Sequence, residues 1–343
     1  MPCKPGYFRF LPAVSLFESA SVLSANSEKR ILDGDGPTNT TRLLDLRCIN
    51  SGCRETGQLE ALLLWSGLMS YAALMVYVDV DGIPEQRVRI ASELAAKFDA
   101  ALIGFSAHAV PPSFFTEDAI KALTTEADIK KMRKALAKRG NWFRSIVGAD
   151  RQDIEWRTTL DLPCDALARE ASCADLVIIG RQQATGRHNK HRTLDPGEVL
   201  LKLGRPALLV APGVASLQAE HVVVAWKDTR EARRAVLDAI PFLRTAKRVS
   251  VVEVCSRDEE RNALARIDDV VRYLARHRIT ADPRPILHRD RSDADHLLQF
   301  ALNEDADLLV AGAYGHSRLG EWIYGGMTRD ILASSPLCCL MSH

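Results

Sequence analysis

The stretch Leu308-Leu-Val-Ala-Gly-Ala-Tyr-Gly-His-Ser-Arg-Leu-Gly-Glu-Trp-Ile-Tyr-Gly-Gly-Met-Thr328 decides the reading of the whole chain. Leu308 to Ala311 is an uninterrupted apolar run, the pattern of a strand buried on both faces. Gly312 and Gly315 follow at its carboxyl end, then Gly325 and Gly326, then Met327 and Thr328 at the start of a helical pattern. The spacing is Gly-x2-Gly-x9-Gly. Glycines at a strand end let bare backbone approach a ligand, and the amides of a following helix attract anions. A phosphate is the natural guest of such a loop. The alternative is that the glycines only close a tight turn and admit a helix against the strand.

The same alternation of short apolar strands and amphipathic helices extends outward from this stretch. Upstream, the pattern predicts strands at His221–Trp226, Val249–Val254 and Pro283–Leu287, and a last strand at Cys338–Met341. Helices are predicted over Arg230–Leu243, Asp258–His277, Ala294–Asn303 and Arg329–Ser334. An earlier set precedes them. Its strands are Leu74–Val78, Ala101–Ser106, Ile154–Leu160, Ala174–Gly180 and Ala207–Ala211. Its helices are Pro84–Phe98, Glu117–Arg139 with an irregular continuation toward Val147, and Pro163–Ala171. Strand, helix, strand with short links predicts parallel pairing with right-handed crossovers.

The two sets repeat in residues as well as in order. Ala174-Asp-Leu-Val-Ile-Ile-Gly180 mirrors Ala306-Asp-Leu-Leu-Val-Ala-Gly312, and Arg205-Pro-Ala-Leu-Leu-Val210 mirrors Ser335-Pro-Leu-Cys-Cys-Leu340. An offset of about 130 residues is too long for a solenoid and marks a duplicated domain. The expected organisation is a first α/β domain over 69–213, a linker from Ala211 to Gln218, and a second domain over 219–343. Each half is expected to be a doubly wound parallel sheet. Residues 1–68 lack periodicity and carry the turn-rich run Asp33-Gly-Asp-Gly-Pro-Thr-Asn-Thr-Thr41. They are expected to be an extension of low structural content, either a flexible arm or the product of a start assigned too far upstream.

The glycine spacing, with the preceding Ala306-Asp-Leu-Leu309 and the phrase Gly312-Ala-Tyr-Gly-His-Ser-Arg318, resembles the nucleotide loop of the universal stress protein family. The family pattern is Gly-x2-Gly-x9-Gly-(Ser/Thr). This chain has Gly326 at the hydroxyl position, with Thr328 the nearest hydroxyl. The resemblance implies an adenine nucleotide alpha hydrolase-like fold, five strands in each half, and halves packed as a pseudo-dimer. It also implies a cytoplasmic stress-response protein that binds ATP or a related adenine nucleotide and is regulatory rather than catalytic. The nucleotide contacts it implies are Gly312, Gly315, His316, Gly325, Gly326, Met327 and Thr328. In nucleotide-binding relatives an Asp near the end of the first strand meets the nucleoside. Here Lys227 stands at that place with Asp228 beside it, and a lysine meets a phosphate as a point charge.

Other features carry less. A net charge of +1 gives no case for nucleic acid or a membrane surface as a partner. Eight cysteines form no Cys-x2-Cys, and no zinc spacing is present. No apolar run reaches the roughly 20 residues of a membrane span. Asp79 and Asp81 close the first strand of the first half, where turn and helix-cap chemistry is expected. The basic loop after Gly180 lacks the second glycine, so this half is expected to have lost its site. His288, Asp290, Asp293, Asp295 and His296 cluster at a helix start, where Asp caps are common, so no metal is expected. His316 and Ser317 have no orienting carboxylate and do not form a catalytic pair. The expected partners are a nucleotide, the other half of the chain and a second copy as homodimer. The rival reading is a nucleotide-free interaction module acting through the paired-domain surface.

Overall fold

Residue alternation along the strands sets the architecture, because successive side chains of a strand point to opposite faces. In Ala73–Tyr77 (β1), Leu74 and Val76 enter one apolar layer while Met75 and Tyr77 enter another. The same division holds in His221–Ala225 (β6), Leu308–Gly312 (β9) and Cys338–Ser342 (β10). A sheet buried on both faces needs helices on both sides, which is the doubly wound arrangement. The computed structural model describes residues 70–343 except 83, 110–114, 117–118, 121–125, 149–150, 152, 182–190, 289 and 316–325. All of them belong to one unit, Glu55–His343. The arm expected over 1–68 lies outside the described residues.

The first half runs β1, Glu85–Lys97 (α1), Ala101–Ala107 (β2), Glu126–Val147 (α2), Ile154–Thr159 (β3), Pro163–Glu170 (α3), Leu176–Gly180 (β4), Pro196–Lys202 (α4) and Ala207–Val210 (β5). The second runs β6, Arg230–Asp238 (α5), Ile240–Thr245 (α6), Arg248–Cys255 (β7), Glu260–Arg276 (α7), Asp282–Leu287 (β8), Asp293–Asn303 (α8), β9, Gly326–Ser334 (α9) and β10. The sheet order is β8-β7-β6-β9-β10-β5-β4-β1-β2-β3. Each half is a parallel five-stranded sheet, and the fifth strands join antiparallel, with Leu340 opposite Leu208. Ten strands therefore form one sheet, and the carboxyl edges of the two halves face opposite ways.

The repeated Ala-Asp-Leu motif has a structural job. Asp175 accepts from the amides of Ala72 and Ala73 at 2.7 and 3.1 Å, and Asp307 accepts from Glu220 and His221 at 3.0 and 3.1 Å. In each half the carboxylate before the fourth strand fixes the start of the first, which sets their register.

Three expectations change. The second helix expected from Glu117 is Glu126–Val147 and regular throughout; Ala119–Ile120 instead pairs with Phe115–Thr116 as a short antiparallel ladder, and 117–118 and 121–125 lie outside the described residues. The helix predicted over Arg230–Leu243 is two helices, because Pro241 has no N–H and its ring crowds the carbonyl four residues back. The helix α4 was not predicted. Its signal is Asp195-Pro196: the Asp195 carboxylate caps Gly197 and Glu198 at 2.8 and 3.1 Å, and proline suits the first turn.

The halves meet through a three-ring cluster. Phe242 packs edge-on against Phe98 at 5.0 Å and Tyr71 at 5.7 Å between centroids. The Tyr71 hydroxyl donates to the Asp238 carbonyl at 2.6 Å. Lys97 reaches the Gln218 carbonyl at 2.7 Å, and Arg234 the Gly204 carbonyl at 3.0 Å. Cys164, Cys338 and Cys339 are buried, and burial pushes their thiols up to about 12, 11 and 12. Thiolates are the reactive form, so iodoacetamide at neutral pH should leave these three unmodified in the folded protein. Peptide mapping by mass spectrometry checks this; labelling without denaturant would mean the sheet opens readily.

Candidate functional site

In an open parallel sheet, ligands sit beyond the carboxyl ends of the strands where the order reverses. In the second half that point lies between β6 and β9. A cleft of about 470 Å³ opens there, walled by the ends of β6, β7 and β9 and the first turns of α8 and α9. Lys227, Gly312, Gly315, Gly326, Met327 and Thr328 all lie on its wall. Asp228 does not: it faces outward and pairs with Arg233 at 2.5 Å. His316 and Gly325 lie outside the described residues.

The glycines have separate reasons. A β-carbon at Gly312 would stand 2.6 Å from the Ala232 nitrogen and 2.7 Å from the Glu231 carbonyl carbon. Gly312 is therefore what lets the first turn of α5 cross the end of β9. At Gly315 a β-carbon would meet the Glu231 carboxylate at 2.9 Å and the Thr229 hydroxyl at 3.1 Å. At Gly326 it would meet nothing within 4 Å. Among the described residues of the loop, Tyr314 is left-handed, with φ 57°. Its amide donates to the buried Thr328 hydroxyl at 3.1 Å, so that hydroxyl pins the loop to α9.

The cleft is richer in acid than the sequence pattern indicates. Among the described residues Glu253, Asp293 and Asp330 line it, with Lys227 as the one cation. Glu253 is buried and receives Arg266 in a fork, with nitrogens at 3.0 and 2.5 Å from one oxygen. Asp293 pairs with His288 Nδ1 at 2.7 Å. Glu253 was legible as one acid in the apolar run Val249 to Val254, and Asp293 as part of the His/Asp cluster. In that cluster the rings of His288 and His296 lie 5.8 Å apart, and Ser292 caps α8 by accepting from the Asp295 amide at 3.1 Å.

Residues 218–343 match the sequence profile of the Universal stress protein family. The second half of the chain is a universal stress protein domain. No curated protein matches the chain by sequence. Among solved structures, a universal stress protein from Archaeoglobus fulgidus DSM 4304 superposes with a TM-score of 0.63 at 12% identity, over 79% of this chain and 97% of that one. A functionally unknown protein from Pseudomonas aeruginosa PAO1 superposes with a TM-score of 0.51 at 14% identity, over 81% and 94%. The fold of the universal stress proteins thus extends through both halves.

Within this two-domain chain the halves can be aligned by pairing. Leu74 lies opposite Leu176, and Val222 opposite Leu308. Counting on from Leu74 and Val222, Asp79 and Lys227 occupy equivalent places. The first half thus keeps an Asp where the second has Lys227. That Asp79 is held by Arg87 at 2.9 Å, and a β-carbon at Gly180 would overlap the Arg87 guanidinium. Asp81 pairs with Arg192. Neither acid caps α1, whose N-cap is Pro84 without a side-chain bond; both are taken by arginines instead. Among the described residues no helix is long and apolar enough to cross a membrane.

Proposed function

We propose that this tandem universal stress protein binds an adenine nucleotide, ATP or a close relative, in the cleft of its second half. In this reading it serves a cytoplasmic stress response by binding rather than by turnover. The observation that supports it most is placement: a cleft at the switch point of a universal stress protein domain, with Gly312, Gly315 and Gly326 on its wall. Val252, Val254, Trp226 and Leu297 offer an apolar surface for a base, and Lys227 a charge for phosphate. Among the described residues turnover has little to work with, since Glu253 is engaged by Arg266, Asp293 by His288 and Asp330 by Arg329.

Mass spectrometry of small molecules released from the denatured protein is the direct test. Titration adds a second. Gly326 has open space around a β-carbon, so Gly326→Ser restores the family hydroxyl without a clash. It should tighten ATP by about 1.5–3 kcal/mol at best, the value of one hydrogen bond to a charged group. Unchanged affinity would mean that phosphate does not reach α9.

One observation favours the nucleotide-free interaction module. The buried Glu231 carboxylate lies against Gly315, on the side where a phosphate-cradling loop would need to be free of negative charge. No released nucleotide, together with no ATP binding by wild type or Gly326→Ser, would leave that module as the function.

A further inference from the structure

The first half has a cleft of its own, about 830 Å³, beyond the ends of β1, β4 and β5. It is the counterpart of the cleft in the second half with the charge reversed. Arg87, Arg89 and Arg181 line it against Asp79 and Glu85. Both acids are already taken: Asp79 accepts from Arg87 at 2.9 Å and Glu85 from Arg89 at 2.7 Å. Arg181 instead bonds neutral carbonyls, those of Leu332 and Ala333, and keeps its full charge.

Two further observations point the same way. Among the described residues, the buried Nε–H of Arg87 and that of Arg181 find no acceptor, and buried donors are ordinarily paired. The 13-residue helix α1 also begins at this cleft with Pro84 as its N-cap, which supplies no side-chain acceptor for the first amides. The matching helix α5 is capped by Thr229, whose hydroxyl accepts from the Ala232 amide at 3.3 Å. Uncapped helix amides and guanidinium forks both select tetrahedral oxyanions.

We propose that the cleft of the first half binds a phosphate group, free or as the monoester of a small molecule, between Arg87, Arg181 and the first turn of α1. The site replaces the glycine loop that this half lacks. It is independent of nucleotide binding in the second half.

The test is calorimetric titration of the full chain with inorganic phosphate and with phenyl phosphate, at constant ionic strength. Saturable binding of one equivalent is expected. Equal affinity for the two assigns the site to phosphate alone, and tighter binding of the ester assigns the rest of the cleft to its organic part. Gln86→Glu places a carboxylate in the first turn of α1, where the helix dipole tolerates it. The fold should hold, and phosphate affinity should fall at least tenfold. Arg87→Lys keeps the charge but loses the fork, and should also weaken binding. Arg272→Ala, at an exposed ion pair of α7 outside both clefts, should leave phosphate affinity unchanged. The proposal is overturned by the absence of saturable heat up to about 10 mM phosphate. It is equally overturned by wild-type affinity in both Gln86→Glu and Arg87→Lys.

Discussion

Phe242→Ala should lower the unfolding free energy of the full chain by about 3–5 kcal/mol, the usual cost of truncating a fully buried phenylalanine. The ring has no exposed surface and fills the space between Phe98 and Tyr71. Those two belong to the first half and Phe242 to the second. The loss therefore falls on the packing between halves as well as on the core of one of them. Urea unfolding followed by tryptophan fluorescence and by circular dichroism should show a lower midpoint. The two probes should also separate, because the halves no longer unfold together. Phe242→Leu keeps most of the volume and should cost less than about 1.5 kcal/mol. A loss below about 1 kcal/mol in Phe242→Ala would mean that the ring cluster can collapse into the gap and does not hold the halves.

The second large effect is expected at Gly312. Gly312→Val puts a side chain against the backbone of Glu231 and Ala232, which cannot rotate away as a side-chain tip would. Helix α5 must then lift from the end of β9. Overpacking of this kind costs about 1–3 kcal/mol and sometimes more. The same movement displaces Thr229 and Ala232, both on the wall of the cleft proposed to hold the nucleotide, so on that proposal ATP binding should be lost with the stability. Gly326→Ala is the control, since nothing lies within 4 Å of its added β-carbon. Differential scanning calorimetry of the pair is enough. Equal melting temperatures for Gly312→Val and wild type would show that α5 does not approach the strand so closely.

Much of the fold could be read in the sequence because it is carried by local patterns. Apolar runs such as Leu308 to Ala311, and the repetition of Ala-Asp-Leu at 174–176 and 306–308, mark the strands and the duplication without any knowledge of packing. The join of the fifth strands could not be read. Ala207–Val210 and Cys338–Ser342 are short and apolar, and nothing in such a run names its partner or the direction of pairing. The break at Pro241 and the helix start at Asp195-Pro196 were both open to capping rules.

The site divides in the same way. Spacing put Gly312 and Gly315 in one loop, and the family resemblance set Gly326 and Lys227 beside them, but neither showed what each glycine faces. Gly312 faces α5, Gly315 faces Glu231, and Gly326 faces open space. The acid of the cleft comes from three separate elements, β7, α8 and α9. Residues that converge only through the fold leave no spacing to find.

The antiparallel pairing of β5 with β10 also bears on how the protein behaves in dilute solution. A single-domain relative that completed its sheet with a second chain would depend on total protein for assembly, and would fall apart as its abundance dropped. Here both sheet-completing strands belong to one molecule, whose halves are joined by the short linker 211–218. Each meets the other at an effective concentration on the order of millimolar, whatever the amount of protein in the cell. The opposed clefts are thus kept in a fixed ratio of one to one from the first molecule synthesised.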